Sequence, residues 1–516
     1  PGRRRGPRGM SAFTDLLADP YAARRYLVIL EPYDPGASAV VTLYHSDHGF
    51  VTKPTDSPAS QYFEPRVVSA LNFERHLFQR GLIGGRSIPN FGEIALANAD
   101  GGLDGFLTFG WDDRRVRVFL GGDDFAYGDF GLVFDGTAEQ IEVTDEVLTV
   151  RLRDWQHKLA KPVQGTLYAG TGGNEGGSDL TGVRKPLAFG RVLNIRPVMV
   201  DPGAGRYQVH DGAISDVDAL YVGGIAYTRI VGTPTANQYA VDVATGFVTV
   251  GGAPLTEQVT CDVKGAKPSG TYLTTVADIV EEIVTSQGNL SAGDLDSASF
   301  MALNTANSNT VGAYIDGASN RTVLAVLDEL IASIGGYYGF DRSGKFEVGR
   351  LVTPGGTPAA TFSEVEILEI VRQATALPAH RVRLGYQPNG TVQAAFQLNA
   401  AVTAARRAFT ARDVRYVTAE DGSVLAKHPL AGDLEINTLM DGDTAATTEA
   451  ARLLNLYGAD RDLFRVRLKT QPFALELADP VRLVYPRFGL QAGKLFRIIG
   501  LVEDTALNQV ELTLWG

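Results

Sequence analysis

RTVLAVLDELIASIGGYYGFDRSGKFEVGR, residues 321–350, is the stretch that decides the fold at the centre of this chain. Apolar residues recur at helical spacing over residues 323–334, and the acidic pair 328–329 falls on the opposite face. The glycines at 335–336 end the predicted helix, and the apolar period then switches to two. Turn residues at 341–344 precede a second alternating run, which predicts a helix laid on a β-hairpin. Nothing in this unit is typical of catalysis, so we interpret it as a packing unit.

The segments before this unit predict β structure. Short alternating runs separated by turn residues continue from residue 26 to residue 152, including a predicted strand at 107–111, and indicate a barrel or sandwich. A second series of short strands over residues 189–250 predicts an all-β module. The Pro- and Gly-containing stretch 264–270 suits an exposed connection and marks the end of that module.

The segments after the unit return to β structure with one good helix. Residues 364–372, 379–386 and 393–398 are predicted strands, and residues 444–457 have the pattern of a helix. Alternating runs joined by turns over residues 464–515 suggest another barrel.

The length of the chain and the changes in its sequence pattern together predict several domains. At 516 residues the chain is too long for one core, and chains of this length typically fold into roughly three or four domains. The predicted division is residues 1–9 as a disordered basic tail or start artefact, 10–162 as an N-terminal β-barrel-like domain, 163–268 as an inserted all-β module with a Gly-rich loop, 269–352 as an α+β helix–hairpin domain, and 353–516 as a C-terminal β-barrel-like domain with one helix. The predicted fold class is mainly β with an α+β module.

Composition narrows the class of partner. Hydrophobic residues make up 44% and charged residues 21% of the chain. These fractions are typical of a folded soluble protein. A formal net charge of −12 argues against a general binder of nucleic acid or membrane surfaces, because both require a clustered basic face. The arginines of PGRRRGPRG at residues 1–9 resemble a tag remnant, a misplaced start or a tail, with a nucleic-acid arm as the alternative. No apolar run is long enough to span a bilayer, and the start lacks a signal-peptide core.

Cys261 is the single cysteine of the chain. The sequence therefore has no intrachain disulfide framework and no cysteine-based zinc site, and it predicts synthesis in a reducing compartment. The thiol lies in an alternating run, where a buried strand cysteine is a better interpretation than a nucleophile.

Four motifs have some features of chemical sites, and each is better interpreted as structure. The glycine-rich loop at 170–177 lacks the lysine and hydroxyl of a P-loop, so a surface loop is preferred over nucleotide binding. His45 and His48 lack a third ligand and lie in a loop-like sequence. Acidic pairs such as 112–113, 123–124 and 281–282 suit solvated turns better than a glycosidase pair. The calcium-like fragment 441–443 lacks its closing glutamate.

Several sequences resemble one family when taken in order. ASIGGYYGFDRSGKFEV (332–348) and the C-terminal ADPVRLVYPRFGL (478–490) with GKLFRIIGLVEDTALNQVELTLWG (493–516) resemble the central hub or tail-tip proteins of tailed phages and gene transfer agents. SIPNFGEIALANADGGLDGF (87–106) with GWDDRRVRVFLGG (110–122) is similar to the opening domain of prophage tail proteins. About half of the chain is covered, and none of these motifs is a catalytic signature.

The resemblance implies a structural virion protein. Such a hub is a homotrimer whose β domains form a ring continuing the tail tube, with the α+β domain bracing it. It implies contacts with the distal tail protein, the tape-measure protein and fibre or spike proteins, with DNA present only in transit and no stable membrane association. The implied location is the virion tail tip after synthesis in the host cytoplasm, and the 163–268 module has no counterpart.

We therefore predict no enzyme, no cofactor, and no catalytic, cofactor-binding or metal-binding residues. Subunit contacts are predicted at edge strands and aromatic positions, namely Val116, Val118, Leu120, Val481, Leu483, Tyr337 and Tyr338. Two other functions stay open: a tail-associated hydrolase of cell-wall or surface polysaccharide, which requires converging carboxylates in a cleft, and a carbohydrate-binding receptor adhesin, which requires an exposed aromatic platform.

Overall fold

The computed structural model describes residues 10–19, 22–78, 90–469, 473 and 475–516. It contains 40% strand and 19% helix, which confirms the predicted mainly β class. The strands of the described residues form open sheets and not a closed barrel. The predicted basic tail at 1–9 lies outside the described residues.

The elements alternate between β-rich and mixed parts. The first part has α1 (Met10–Ala18), β1 (Arg24–Leu30), β2 (Tyr33–Asp34), β3 (Ala39–Val40), β4 (Leu43–Ser46), β5 (Phe50–Val51), β6 (Tyr62–Pro65), β7 (Val67–His76), β8 (Phe91–Ala97), β9 (Arg114–Gly122), β10 (Gly131–Val143) and β11 (Val147–Arg153). The second has β12 (Leu187–Ile195), β13 (Val198–Asp201), β14 (Arg206–Gln208), β15 (Ile214–Val222), β16 (Ile225–Ala226), β17 (Thr228–Arg229), β18 (Gln238–Asp242), β19 (Phe247–Val250) and β20 (Val259–Ala266).

The helical part and the final β part follow. The helical part contains α2 (Val276–Glu282), α3 (Ser297–Ala306), β21 (Gly312–Ile315), α4 (Val323–Ala332), β22 (Gly336–Phe340) and β23 (Phe346–Arg350). The final β part contains β24 (Ala360–Ser363), β25 (Ile367–Gln373), β26 (Arg381–Tyr386), α5 (Ala404–Thr410), β27 (Arg415–Glu420), α6 (Ser423–Lys427), β28 (Asp433–Asn437), α7 (Asp443–Tyr457), β29 (Leu463–Leu468), β30 (Pro480–Val484), β31 (Lys494–Asp504) and β32 (Gln509–Trp515).

One sheet of 15 strands joins the beginning and the end of the chain. Its main path runs β25-β29-β32-β31-β7-β8-β11-β10-β9-β1-β4-β6-β5, and β30 and β24 branch from β31. The long strand β31 makes the join, because its first half pairs with β30 and its second half pairs with β7. A register shift between Ile498 and Gly500 marks the change of neighbour, as a β-bulge does when it bends a strand. The two terminal β parts are therefore one continuous sheet.

The inserted module is tied to the helical part through β12, which pairs with β20 on one side and β21 on the other. Gly190 and Gly312 face each other across the β12–β21 pair. A Cβ atom built on Gly312 would overlap the carbonyl oxygen of Arg191, and Gly190 has a φ of +60°. Side chains at these two positions would push the strands apart, so the pairing requires glycine there.

The helix–hairpin unit predicted for residues 321–350 is confirmed as α4, β22 and β23. The Thr322 hydroxyl accepts a hydrogen bond from the Ala325 N–H at 3.2 Å and so caps the start of α4. Apolar positions on one face of α4, including Leu330, are buried in the core that also holds Phe346. The Tyr338 hydroxyl donates to Asp328 at 2.8 Å and ties the hairpin to the helix.

Two predicted strands are wrong. Residues 107–111 overlap a 3-10 helix at Asp104–Thr108, and residues 393–398 contain another at Ala395–Gln397. In both places a side-chain amide oxygen accepts from a nearby backbone N–H and holds a turn: Asn98 accepts from the Leu103 N–H at 2.7 Å, and Gln397 accepts from the Ala394 N–H at 2.7 Å. Such local bonds compete successfully with strand pairing.

Candidate functional site at a buried charge junction

The turn of the β22–β23 hairpin is the place where distant parts of the chain bring charged groups together. The hairpin, strand β7 with the end of β11, and the segment around β30–β31 contribute two arginines and five carboxylates: Arg75, Asp154, Asp341, Arg342, Glu347, Glu476 and Glu503. We call these seven residues the charge junction. Because they come from three parts of the chain, their contacts set how those parts meet.

Arg342, in the hairpin turn, connects the hairpin to the C-terminal part. Its Nη1 lies 2.5 Å from Oε1 of Glu503, and its Nε lies 3.0 Å from Oε1 of Glu476. Its Nη2 donates to the Leu475 carbonyl at 2.8 Å, and the guanidinium carbon lies 5.5 Å from the centre of the Phe473 ring. The Arg342 and Glu503 side chains are only 9% and 2% exposed. Water therefore contributes little to the stabilisation of this pair.

Arg75 connects the N-terminal part to the same carboxylates. Its Nη1 donates to Oε2 of Glu476 at 2.5 Å, and its Nη2 donates to the Phe340 carbonyl at 3.1 Å. Glu476 therefore lies between two arginines from different parts of the chain. Arg75 is 3% exposed, so loss of its carboxylate partner would leave a charge in the interior without compensation, and we expect these contacts to help fix how the three parts meet.

The carboxylates of the junction differ in their protonation. Burial opposes ionisation of Glu476, but Arg75 and Arg342 outweigh it and lower its pKa. Burial raises the pKa of Glu503, and the same two arginines offset only part of that effect. Burial also raises the pKa of Glu347 to about 7, with nearby Glu476 acting in the same direction and Arg75 against it. The two arginines therefore outweigh the effect of burial on the pKa of Glu476, but they do not outweigh it for Glu503 and Glu347.

Asp154 closes the junction on the side of β11. Burial raises its pKa to about 6, although hydrogen bonds from Asn90 and from the Gln156 N–H favour the charged form. Asn90 donates from its side chain to Oδ2 of Asp154 at 2.8 Å. A cavity of about 10 Å³ lies beside Asp154 and Arg342. It is the size of one water molecule and does not admit a sugar.

We expect Glu347→Gln to stabilise the protein at high pH and not at low pH. A carboxyl whose folded pKa is about 7, against an ordinary value of 4.5, loses folding free energy as the pH rises between those values. The amide avoids that loss, so the variant should gain roughly 1–2 kcal/mol above about pH 7 and almost nothing below about pH 4.5, after allowance for partial exposure. Denaturant unfolding at several pH values measures the difference.

Glu364→Gln is the matched control, because Glu364 is exposed and lies outside the junction. It should leave the pH dependence of unfolding unchanged. A Glu347→Gln variant whose stability parallels that of the wild type at every pH would contradict the assigned protonation of Glu347.

A second buried ion cluster holds the other end of the hairpin. Glu449 in α7 is 2% exposed and pairs with both Arg350 and Arg452. Arg452 also donates to the Leu351 carbonyl at 2.9 Å, and Arg350 donates to the Ile334 carbonyl at 2.9 Å. The hairpin is therefore fixed by buried charges at its turn and at its end.

The motifs with features of chemical sites lie apart from one another. His45 is buried in β4, whereas His48 is exposed with its Nδ1 3.2 Å from Asp47. Asp113 pairs with His157 at 2.9 Å, and Asp123 pairs with Arg25 at 2.5 Å. In the part of the chain that the structure describes, no group of three or more His, Cys, Asp or Glu side chains is placed to hold a metal ion.

The glycine-rich loop at 170–177 is held by Glu175. Its carboxylate accepts from the Ala169 N–H at 3.0 Å and pairs with Lys185 at 2.7 Å. Cys261 is fully buried in β20, and burial raises the pKa of its thiol. None of the described helices is long and apolar enough to cross a membrane.

Comparisons with known proteins found similarity to solved structures only. No family model matches the sequence, and no curated protein matches it. A tail protein from Neisseria meningitidis MC58 aligns over 95% of this chain and 96% of its own with a TM-score of 0.44 and 9% identity. Prophage tail protein gp18 from Listeria monocytogenes EGD-e aligns over 95% and 94% with a TM-score of 0.42 and 9% identity. A chain from the virion of a native gene transfer agent aligns over 65% and 84% with a TM-score of 0.41 and 18% identity.

These neighbours are phage tail and virion proteins. They are of the class that the sequence resembles. At such low identities and TM-scores the likeness carries no argument about function, which has to rest on the contacts and strand pairings of this chain.

The residues predicted at subunit contacts lie in the cores of the chain itself. Six of them are at most 3% exposed: Val116, Val118, Leu120, Val481, Leu483 and Tyr338. Tyr337 is partly buried against the C-terminal core. The expectation that the strands near residues 116–120 and 481–484 are edge strands is wrong, because β9 lies between β1 and β10, and β30 lies between β24 and β31. Their role at subunit contacts stays a prediction.

Proposed function

We propose that this chain is a structural protein of a phage-type tail and, more specifically, the central hub of its tip. The observation that carries the proposal is the sheet in which β31 joins the first and last β parts. Within the described residues this sheet has β25 at one end of its path and β5 at the other, each paired on one side only. Unpaired strand edges favour addition of a strand from another chain.

A homotrimeric ring follows as the proposed assembly. Edges at both ends of one sheet allow each subunit to offer a different surface to each neighbour, and such head-to-tail contacts form a ring when the rotation between subunits closes. The β25 edge carries apolar groups for this contact, since Leu368 in the strand is 44% exposed and Val365 just before it is 67% exposed. The two buried ion clusters keep the hairpin rigid between the sheet and α7, as a brace requires.

The proposed partners are those implied by the sequence resemblance. They are the distal tail protein, the tape-measure protein and fibre or spike proteins, with DNA passing only in transit. The proposed location is the virion tail tip after synthesis in the host cytoplasm. Genome delivery through the ring is the role proposed for the assembled hub.

Light scattering of the purified protein, with cross-linking, tests the assembly. We expect a mass three times the chain mass of 55.2 kDa. Leu368→Lys should convert the trimer to monomer, because a lysine on an edge strand disfavours strand addition. The control Leu507→Lys, at a residue 64% exposed in the β31–β32 turn, should stay trimeric.

A wild-type protein that remains monomeric at high concentration would contradict the trimeric ring. If the Leu368→Lys variant is still a trimer, the β25 edge is not the subunit contact, but the proposal of a trimeric ring stands.

A further inference from the structure

A surface pocket of about 330 Å³ lies between helix α5 and strands β26 and β27. This volume falls at the lower end of the range for small-molecule sites, which is about 300–1,000 Å³. Its wall includes the Phe409 ring and two arginines, Arg412 and Arg415. Ala405 and Ala408 line it from α5, and their short side chains leave the space open.

Arg415 is held in place on the pocket wall. Its Nη1 donates to Oε1 of Gln387 at 2.7 Å, and its guanidinium carbon lies 4.9 Å from the centre of the Phe409 ring. Gln387 is itself fixed, because its Nε2 donates to the Asp441 carbonyl at 2.5 Å. A guanidinium fixed in this way loses little side-chain entropy when it binds an anion.

Arg412 lies exposed in the same wall, and the structure gives its guanidinium no ion pair or hydrogen bond to any described residue. Asp413, the neighbouring acid, is exposed and offsets part of the local positive charge. Both arginines line the one pocket, and a guanidinium is the side-chain group best suited to bind the two oxygens of a carboxylate or phosphate.

The positive charge stops at the pocket. Arg381 and Arg383, on the adjoining face of the β26 sheet, pair with acids: Arg381 with Glu420 at 3.1 Å and Asp433 at 3.2 Å, and Arg383 with Glu435 at 3.0 Å. A nucleic acid needs a continuous row of free cations for its phosphates, and this face does not supply one.

We propose that this pocket binds one acidic sugar residue. Arg412 and Arg415 would bind its carboxylate or phosphate, and the apolar side of its ring would contact Ala405 and Ala408 of α5. This inference is independent of the proposed tail function, since it concerns a different surface from the β25 and β5 edges.

Calorimetric titration of the full chain with glucuronate tests the proposal. We expect saturable binding with a dissociation constant of about 0.1–5 mM, and binding at least about tenfold weaker for neutral glucose. Glucose 6-phosphate and inorganic phosphate, titrated separately, show whether the charged group is a carboxylate or a phosphate and whether the sugar ring contributes.

Two variants separate charge from shape. Arg412→Gln removes one guanidinium at an exposed position and should weaken glucuronate binding by about tenfold or more. Ala408→Trp retains both arginines, fills the pocket and should abolish binding. Arg467→Gln is the control, because this arginine is 46% exposed in β29, away from the pocket, and its loss should change nothing.

Three outcomes would overturn the proposal. The first is no glucuronate binding at about 20 mM, where a weak site would already be occupied. The second is glucuronate binding that Ala408→Trp leaves unchanged, which would indicate attraction to surface charge. The third is an oligothymidylate that binds more tightly than glucuronate and competes with it, which would assign the pocket to nucleic acid.

Discussion

Replacing Arg342 by methionine is expected to destabilise the hairpin region by about 3–5 kcal/mol at neutral pH. The methionine fills much of the same space but removes the cation that lies 2.5 Å from Glu503, which is 2% exposed, and leaves only the weaker influence of Arg75 on that carboxyl. It also removes the donor to the Leu475 carbonyl. Hydrogen exchange of the β22 and β23 amides measures this loss as a free energy of local opening.

Arg467→Met is the matched control for Arg342→Met. Its ion pair with Glu369 spans 3.0 Å, but the two side chains are 46% and 44% exposed. Water screens such a pair, so its loss should cost less than about 1 kcal/mol. The double variant Arg342→Met, Glu503→Leu should recover much of the lost stability, because both buried charges are then gone. Equal effects of Arg342→Met and Arg467→Met would contradict the role of the charge junction.

Replacing Phe346 by alanine is expected to cost about 3–5 kcal/mol in the stability of the helix–hairpin unit. Phe346 is fully buried, and its ring centre lies 5.4 Å from that of Phe340 and 5.8 Å from that of Tyr338. The substitution leaves a cavity among these rings that the rigid hairpin cannot collapse to fill. Hydrogen exchange should become faster for the amides of β22, β23 and α4 alike.

Phe396→Ala is the control for Phe346→Ala, since it makes the same chemical change at a side chain that is 89% exposed. It should leave hydrogen exchange in the hairpin unchanged. Loss of stability of similar size in both variants would mean that the effect does not come from burial of Phe346.

The helix–hairpin unit was predictable because its signals are local. Apolar spacing, the Gly335 break and the turn at residues 341–344 all lie within one short continuous stretch, and each favours the same structure. The helix at Asp443–Tyr457 was predictable for the same reason. The pairing of β31 with β7 was not, since no local pattern says which strands meet when they lie near opposite ends of the chain.

The sequence contains a weak signal for the charge junction. Arg75 follows Phe73 at strand spacing, and Glu503 follows Leu501 in the same way, so both charges fall on the buried face of their strands. A charge at an inward position predicts a partner. It does not predict which one, because Arg342 and Glu476 lie in a turn and a loop with no periodic pattern.

The sharing of one sheet by the first and last β parts also sets the order of events during translation. Strand β7 leaves the ribosome long before its partner β31, and at ~5–20 residues per second the interval is roughly 20–80 s. One edge of β7 stays open through that time and is exposed to neighbouring nascent chains. Arg75 points inward from β7, and inward-pointing charges on an edge strand disfavour such premature pairing. Its partner Glu476 is synthesised only later. We therefore expect Arg75 to disfavour wrong strand pairing during synthesis as well as to stabilise the folded protein.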